Sequence, residues 1–195
     1  MASPKIDSDE LVATTTEGYK VGEKKTIEEL QALDAEDESL VRWKQSLGLG
    51  TGAAAAASDD PRKVIVLSLA MEVAGRSDVV LDLTQTDLKN KNLNISIKEG
   101  IEYCLKIKFK IQHEVVSGLK YLHAVKRMGV TLEKRQEMLG SYGPNAEAYE
   151  KKFGLEEAPS GMLQRGSYSI KSKFVDDDNV AHLEWDWILE IKKDW

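Results

Sequence analysis

From Val64 onward, apolar and polar positions alternate with the two-residue period of a half-buried strand. Leu67, Leu69, Met71 and Val73 predict one inward face, followed by Val79, Leu81 and Leu83 around Asp82, and by Leu93, Ile95 and Ile97 around Asn94 and Ser96. The alternation is cleanest from Tyr103 through Leu105, Ile107, Phe109 and Ile111, where Lys106, Lys108 and Lys110 take the opposite face. Val115 to Lys126 is rich in β-branched and aromatic residues but less regular. Tyr168, Ile170 and Phe174, then Leu183, Trp185, Trp187, Leu189 and Ile191, complete the set. About seven strands separated by turn residues predict an all-β fold, an immunoglobulin-like antiparallel β-sandwich over residues 61–195. Residues 131–161 interrupt the pattern: Gly140-Ser141-Tyr142-Gly143-Pro144 is turn chemistry, and Asn145 to Phe153 is expected to carry a short helix capped by Asn145. So long an excursion is expected to be functional or disordered.

Before Val64 the period changes. Thr26-Ile27-Glu28-Glu29 matches a capping box, with Ile27, Leu30 and Leu33 spaced for one helical face. A second helix is expected from about Asp34 or Asp37 to Leu47, with Leu40, Trp43 and Leu47 at helical intervals, acidic residues at its start and Gly48 at its end. Each is shorter than the roughly 12–15 residues at which an isolated helix is even marginal. They need a surface, which is either the body of this chain, as a packed helical hairpin, or a partner. Gly48-Leu49-Gly50-Thr51-Gly52 lacks the Lys-Ser/Thr pair of a phosphate loop and reads as linker, which the alanines 53–57 extend to the body.

Charge sharpens this division. The 195 residues carry 27 basic and 33 acidic side chains, net −6. Residues 1–60 hold 6 and 13 of them and residues 61–195 hold 21 and 20, so the arm is −7 and the body +1. An acidic segment poor in aromatics is expected to be mobile. The reading is therefore a disordered acidic tail over 1–25, a helical regulatory arm and linker over 26–60, and the sandwich. The acidic balance argues against a nucleic-acid partner. No apolar run approaches the roughly 20 residues that span a bilayer, and the first residues resemble no secretory or transit signal, so the cytosol is the expected location.

Catalytic and metal chemistry find little support. The single cysteine, Cys104, reads as a half-buried strand residue. His113, His123 and His182 have no metal-ligand spacing, and neither a cofactor nor a metal is expected. Asp176-Asp177-Asp178-Asn179 reads as a solvated turn or as an electrostatic contact for a basic partner. Trp185 and Trp187 face inward as core or as the wall of an apolar slot. Two rival readings remain: a sandwich using its tryptophans for carbohydrate or a hydrophobic peptide, and an enzyme built on Ser167 or His182.

Several longer motifs carry more information. Asp34-Ala35-Glu36-Asp37-Glu38-Ser39 ahead of Leu40 to Leu47, the Gly140–Pro144 turn, Glu156-Glu157-Ala158-Pro159-Ser160-Gly161-Met162-Leu163, the RGSYSIKS run of Arg165 to Ser172, Asp176 to Asp178, and the ending Trp185-Asp186-Trp187 to Lys192-Lys193-Asp194-Trp195 closely resemble the Rho GDP-dissociation inhibitors. The likeness runs from about Thr26 to Trp195. It implies a non-enzymatic, cytosolic monomer that forms a 1:1 complex with prenylated Rho-family GTPases, prefers their GDP form, slows nucleotide release and extracts them in transient membrane encounters. The geranylgeranyl tail would occupy a slot lined by Leu69, Met71, Ile95, Tyr103, Leu105, Val115, Leu163, Ile170, Trp185, Trp187 and Leu189. The resemblance further implies that Asp37, Ser39, Leu40 and Trp43 approach the GTPase switch regions, and that Glu133 and Asp177 meet its basic surface.

Overall fold

Strand alternation builds two sheets. The computed structural model describes residues 11–14, 29, 33, 36–46, 59–84, 88 and 93–195, with positions 43–46 by backbone alone. Its elements are helix α1 (Glu38–Ser46) and strands β1 (Val64–Val73), β2 (Val79–Asp82), β3 (Asn94–Lys98), β4 (Glu102–Ile111), β5 (Val116–Arg127), β6 (Val130–Tyr142), β7 (Tyr149–Glu157), β8 (Gly166–Val175) and β9 (Ala181–Lys192). One sheet runs β2-β1-β4-β7 and the other β3-β9-β8-β5-β6. The predicted sandwich is present, with one departure from a purely antiparallel design: β3 pairs with β9 in parallel, Ile95 opposite Leu189. Hydrophobic period reports which face is buried, not which neighbour a strand takes.

The core closes between the sheets around Leu69, Ile107 and Phe109 from one layer and Ile95, Phe174 and Trp185 from the other, all 2% exposed or less. Side chains of this size stabilise by about 1.5–3 kcal/mol each when fully buried. A bulge between Val66 and Ser68 changes the facing of β1, so Val64 and Val66 turn inward with Leu69, Met71 and Val73, while Leu67 does not. The expected grouping of Leu67 with the inward set is corrected accordingly.

The larger correction concerns residues 131–161. They hold two strands, β6 and β7, rather than a loop with a short helix. The Asn145 side chain accepts from the Glu147 amide at 3.1 Å and so caps a turn. Both strands lie at sheet edges, where most side chains meet water on either face and the alternation fades. Cys104 is half-buried, as expected.

In the arm, α1 begins one residue after Asp37, within the predicted span. The Leu33 amide donates to the Glu29 carbonyl at 3.1 Å, one helical turn; the rest of the first predicted helix and the Gly48–Gly52 linker lie outside the described residues. Of the predicted acidic tail, residues 11–14 are described, and Leu11 is buried against the five-stranded sheet beside Leu122, Ala124 and Val175. Among the described residues no helix is long and apolar enough to cross a membrane.

Candidate functional site

Where β6 and β7 end their respective sheets on the same side of the sandwich, the layers enclose a cavity of about 360 Å³. Met71 and Leu105 from the four-stranded sheet and Ile170, Trp187, Leu189 and Ile191 from the five-stranded sheet make its apolar interior. Leu132 and Leu155, 56% and 65% exposed, mark where it reaches solvent. Leu132 gains this position through a bulge: Val125 pairs with Glu133 and Lys126 with Thr131, leaving Leu132 as the extra residue. Trp187 is fixed by its indole N–H, which donates to Ser172 Oγ at 2.9 Å; the same hydroxyl lies 2.9 Å from Tyr121 Oη.

The rim is polar. Tyr103 Oη donates to Glu156 Oε2 at 2.8 Å, Arg135 Nη1 donates to Glu156 Oε1 at 2.6 Å, and Arg135 Nε pairs with Glu133. Burial, and then the Glu156 carboxylate, push the Tyr103 phenol well above its usual range, so it stays a neutral donor. His123 also lines the cavity, 7% exposed, with a buried Nδ1 that has no hydrogen-bond partner. Burial lowers its pKa. A histidine whose folded pKa lies below its reference value of 6.5 takes its proton more readily when unfolded. Stability is therefore expected to fall as pH drops below about 6.5 and through the folded pKa, and urea titrations at pH 5 and 8 should show a smaller difference for His123→Gln.

Six of the eleven residues assigned to the slot line this cavity: Met71, Tyr103, Leu105, Ile170, Trp187 and Leu189. The other five do not. Leu69 and Ile95 are in the solid core, as is Trp185, whose ring stacks 6.1 Å from Tyr121 and packs 6.1 Å from Phe174. Val115 is half-buried away from the cavity, and Leu163 is 87% exposed. The cavity residues that sequence reasoning did not assign include Tyr121, His123, Val125, Tyr168 and Ile191 inside, and Leu132, Arg135, Leu155 and Glu156 at the rim. Leu132 and Leu155 carried no usable signal, since single leucines among charged residues are ordinary surface.

In the arm, Asp37 is the N-cap of α1. Its Oδ1 accepts from the Ser39 hydroxyl at 2.5 Å and from the Ser39 and Leu40 amides at 2.9 and 3.3 Å. The Ser39 hydroxyl, and then those amides, hold the carboxyl below its ordinary range. Leu40 is 37% exposed, while the Trp43 side chain lies outside the described residues. The capped helix thus presents a leucine without burying it.

The acids fare differently. Glu133 is exposed at the rim beside Arg135. Asp177 is directed into the protein, 2.9 Å from Lys120 Nζ, with the two side chains 18% and 6% exposed. It lies over Gly118, where a Cβ would come within 1.9 Å of Asp177 Oδ2, and φ of +57° further favours glycine. Asp176 is buried and accepts from the Val180 amide at 2.9 Å and pairs with His182 at 2.8 Å. The predicted solvated turn therefore holds for Asp178 and Asn179, which are exposed, while Asp176 and Asp177 are bonded into the protein. His182 is far from Ser167: their positions fall at opposite ends of the β8–β9 ladder, on the order of 20 Å apart at about 3.3 Å per residue. No nucleophile–base pair forms there. Trp185 and Trp187, 2% and 3% exposed, offer no ring face to a sugar. Among the described residues no His, Cys, Asp and Glu cluster is arranged to hold a metal ion.

A sandwich of two sheets with an apolar cavity opening at its side, preceded by an arm carrying a capped helix, defines this chain as a cavity-bearing β-sandwich protein. The family model described as RHO protein GDP dissociation inhibitor matches residues 4–194, and the chain belongs to that family. It is 46% identical over 177 residues to human Rho GDP-dissociation inhibitor 1, covering 91% of this chain and 86% of that protein. The Rho GDP-dissociation inhibitors of Schizosaccharomyces pombe and Saccharomyces cerevisiae are 44% and 43% identical, each over 90% of this chain and over 86% and 90% of their own lengths.

Proposed function

We propose that this protein binds GDP-loaded, prenylated Rho-family GTPases one to one in the cytosol, slows GDP release and withdraws them from membranes by taking the geranylgeranyl group into the cavity between the sheets. The single observation that carries this reading is the cavity: apolar within, polar at its rim, and near the lower end of the roughly 300–1,000 Å³ usual for ligand pockets. Membership of a family of regulatory inhibitors named for Rho GDP dissociation supports the partner class.

Energetics divide the labour. A prenyl chain of about twenty carbons is worth on the order of 10 kcal/mol in the bilayer, at about 0.8 kcal/mol per buried CH₂. A water-soluble carrier must offer comparable apolar burial, which an exposed helix with one leucine cannot. The arm acts on the nucleotide instead: Asp37, Ser39, Leu40 and Trp43 engage the switch regions, and a ligand that changes exchange must bind one switch conformation better than another. Glu133, exposed at the rim, meets basic GTPase surface beside the entering lipid. The test is a flotation assay with GDP-loaded geranylgeranylated GTPase on liposomes. The protein should move the GTPase into the supernatant up to an equimolar amount, and unprenylated GTPase should bind at least about 100-fold more weakly, a factor that needs a net gain of only about 3 kcal/mol out of lipid burial on the order of 10 kcal/mol. Equal affinity for the two forms would refute the lipid role.

A further inference from the structure

Residues 11–14 form a crossing anchored by one buried side chain. Leu11, 3% exposed, seats in a notch made by Leu122 and Ala124 of β5 and Val175 of β8, with Ala13 packed against the same cluster. Lys173 Nζ of β8 donates to the Leu11 carbonyl at 3.4 Å, and the Thr14 amide donates to Gln136 Oε1 of β6 at 2.8 Å. In the ladder Leu122 stands opposite Lys173 on one side and Gln136 on the other, so the segment passes from β8 over β5 and ends on β6. The sheet's outer face would otherwise present Leu122 to water; the segment covers it.

The end point is what matters. β6 is an edge strand, its ladder to β5 is interrupted at three places, and its side chains are mostly exposed. Glu133 and Arg135, three positions and one position from Gln136, line the cavity. A strand side chain alternates between faces, so the segment grips β6 from outside at the place where its inner side forms the rim. The exposed Leu132 of β6 and Leu155 of β7 put the opening of the cavity between these two strands, beside the Arg135–Glu156 ion pair.

We propose that residues 11–14 are a strap that fastens strand β6 and sets how readily the cavity mouth opens, so that its docking slows the exchange of a bound lipid chain. This rests on the cavity being the prenyl site. Because the strap is continuous with the arm, one tether joins the element that meets the GTPase to the wall of the lipid site.

The test uses the full chain with Leu11→Asp, which places a charge in the notch, and Leu11→Met, which keeps its volume and apolar character. Two readouts are needed: hydrogen exchange of the β6 amides, and dissociation of dansyl-labelled S-geranylgeranyl-cysteine methyl ester. Losing one buried leucine should shift docking by about tenfold or more. Leu11→Asp is expected to speed β6 exchange and to raise probe dissociation about tenfold, and Leu11→Met to leave both near wild type. Unchanged β6 exchange in Leu11→Asp overturns the strap, and faster exchange with unchanged dissociation overturns its control of the mouth. Should wild-type protein fail to take up the probe, the prenyl reading falls, while β6 exchange still decides whether the strap fastens the strand.

Discussion

Leu189→Trp is expected to abolish release of geranylgeranylated GTPase from liposomes while leaving binding of the unprenylated GTPase unchanged. Leu189 stands on β9 between Ile95 of β3 and Tyr168 of β8, 7% exposed, with its side chain on the cavity. An indole there extends into space the lipid needs. If it excludes only about four carbons, the loss is about 3 kcal/mol, roughly 200-fold in affinity. Overpacking can also disturb a core, typically by about 1–3 kcal/mol, so the melting temperature must be followed in parallel. Leu155→Arg supplies a second variant that the fold tolerates more easily, since Leu155 is mostly solvated at the rim and a charge there obstructs entry without filling the interior. Both variants should bind the GTPase protein through the arm and fail on the lipid. If both release prenylated GTPase normally, this cavity is not where the tail goes.

The two halves of that expectation were not equally visible in the sequence. Strands with one face in the core announced themselves: β4 alternates from Tyr103 to Ile111, and the structure buries that set. β6 and β7 did not, because an edge strand wetted on both faces has no period to read, and charged residues in the Glu133 to Glu137 stretch resemble a loop. The bulges at Leu67 and Leu132 escaped for a related reason. A bulge is defined by pairing with a partner strand, and a single chain of letters does not say which strand that is.

The same limit explains the slot. Alternation establishes that a side chain points inward, not whether it meets another layer or a hollow. Trp185 and Trp187 have the same facing two residues apart, yet Trp185 packs against Tyr121 and Phe174 while Trp187, held by Ser172, borders the cavity. The difference lies in what faces each ring across the sandwich, and the cavity side is walled partly by β6 and β7, the two strands that were unreadable. The docking of Leu11 was equally hidden. Leu11 in an acidic stretch has no period, and its notch of Leu122, Ala124 and Val175 exists only once β5 and β8 are paired.

Asp177→Asn is expected to lower the melting temperature by about 6–12 °C, which separates a structural role for this acid from the partner contact that the family resemblance implies. The substitution keeps the side chain's shape, so it still fits over Gly118, where no Cβ could be accommodated. What it removes is the charge opposite Lys120 Nζ, which is 2.9 Å away on a side chain only 6% exposed. An ammonium left in that position without its carboxylate is an uncompensated buried charge. Breaking such a pair costs about 3–5 kcal/mol when fully buried, and the lower figure suits an acid that keeps 18% exposure. At about 2–4 °C per kcal/mol for a chain of this size, 3 kcal/mol gives the expected shift. Replacing both partners, Lys120→Met with Asp177→Asn, should recover much of the loss, because the buried charge is then gone, and a double-mutant cycle measures the coupling. Binding of GTPase measured well below the melting temperature should change little. A melting temperature within about 2 °C of wild type combined with at least tenfold weaker GTPase binding would give the opposite assignment and make Asp177 a contact at the partner's basic surface.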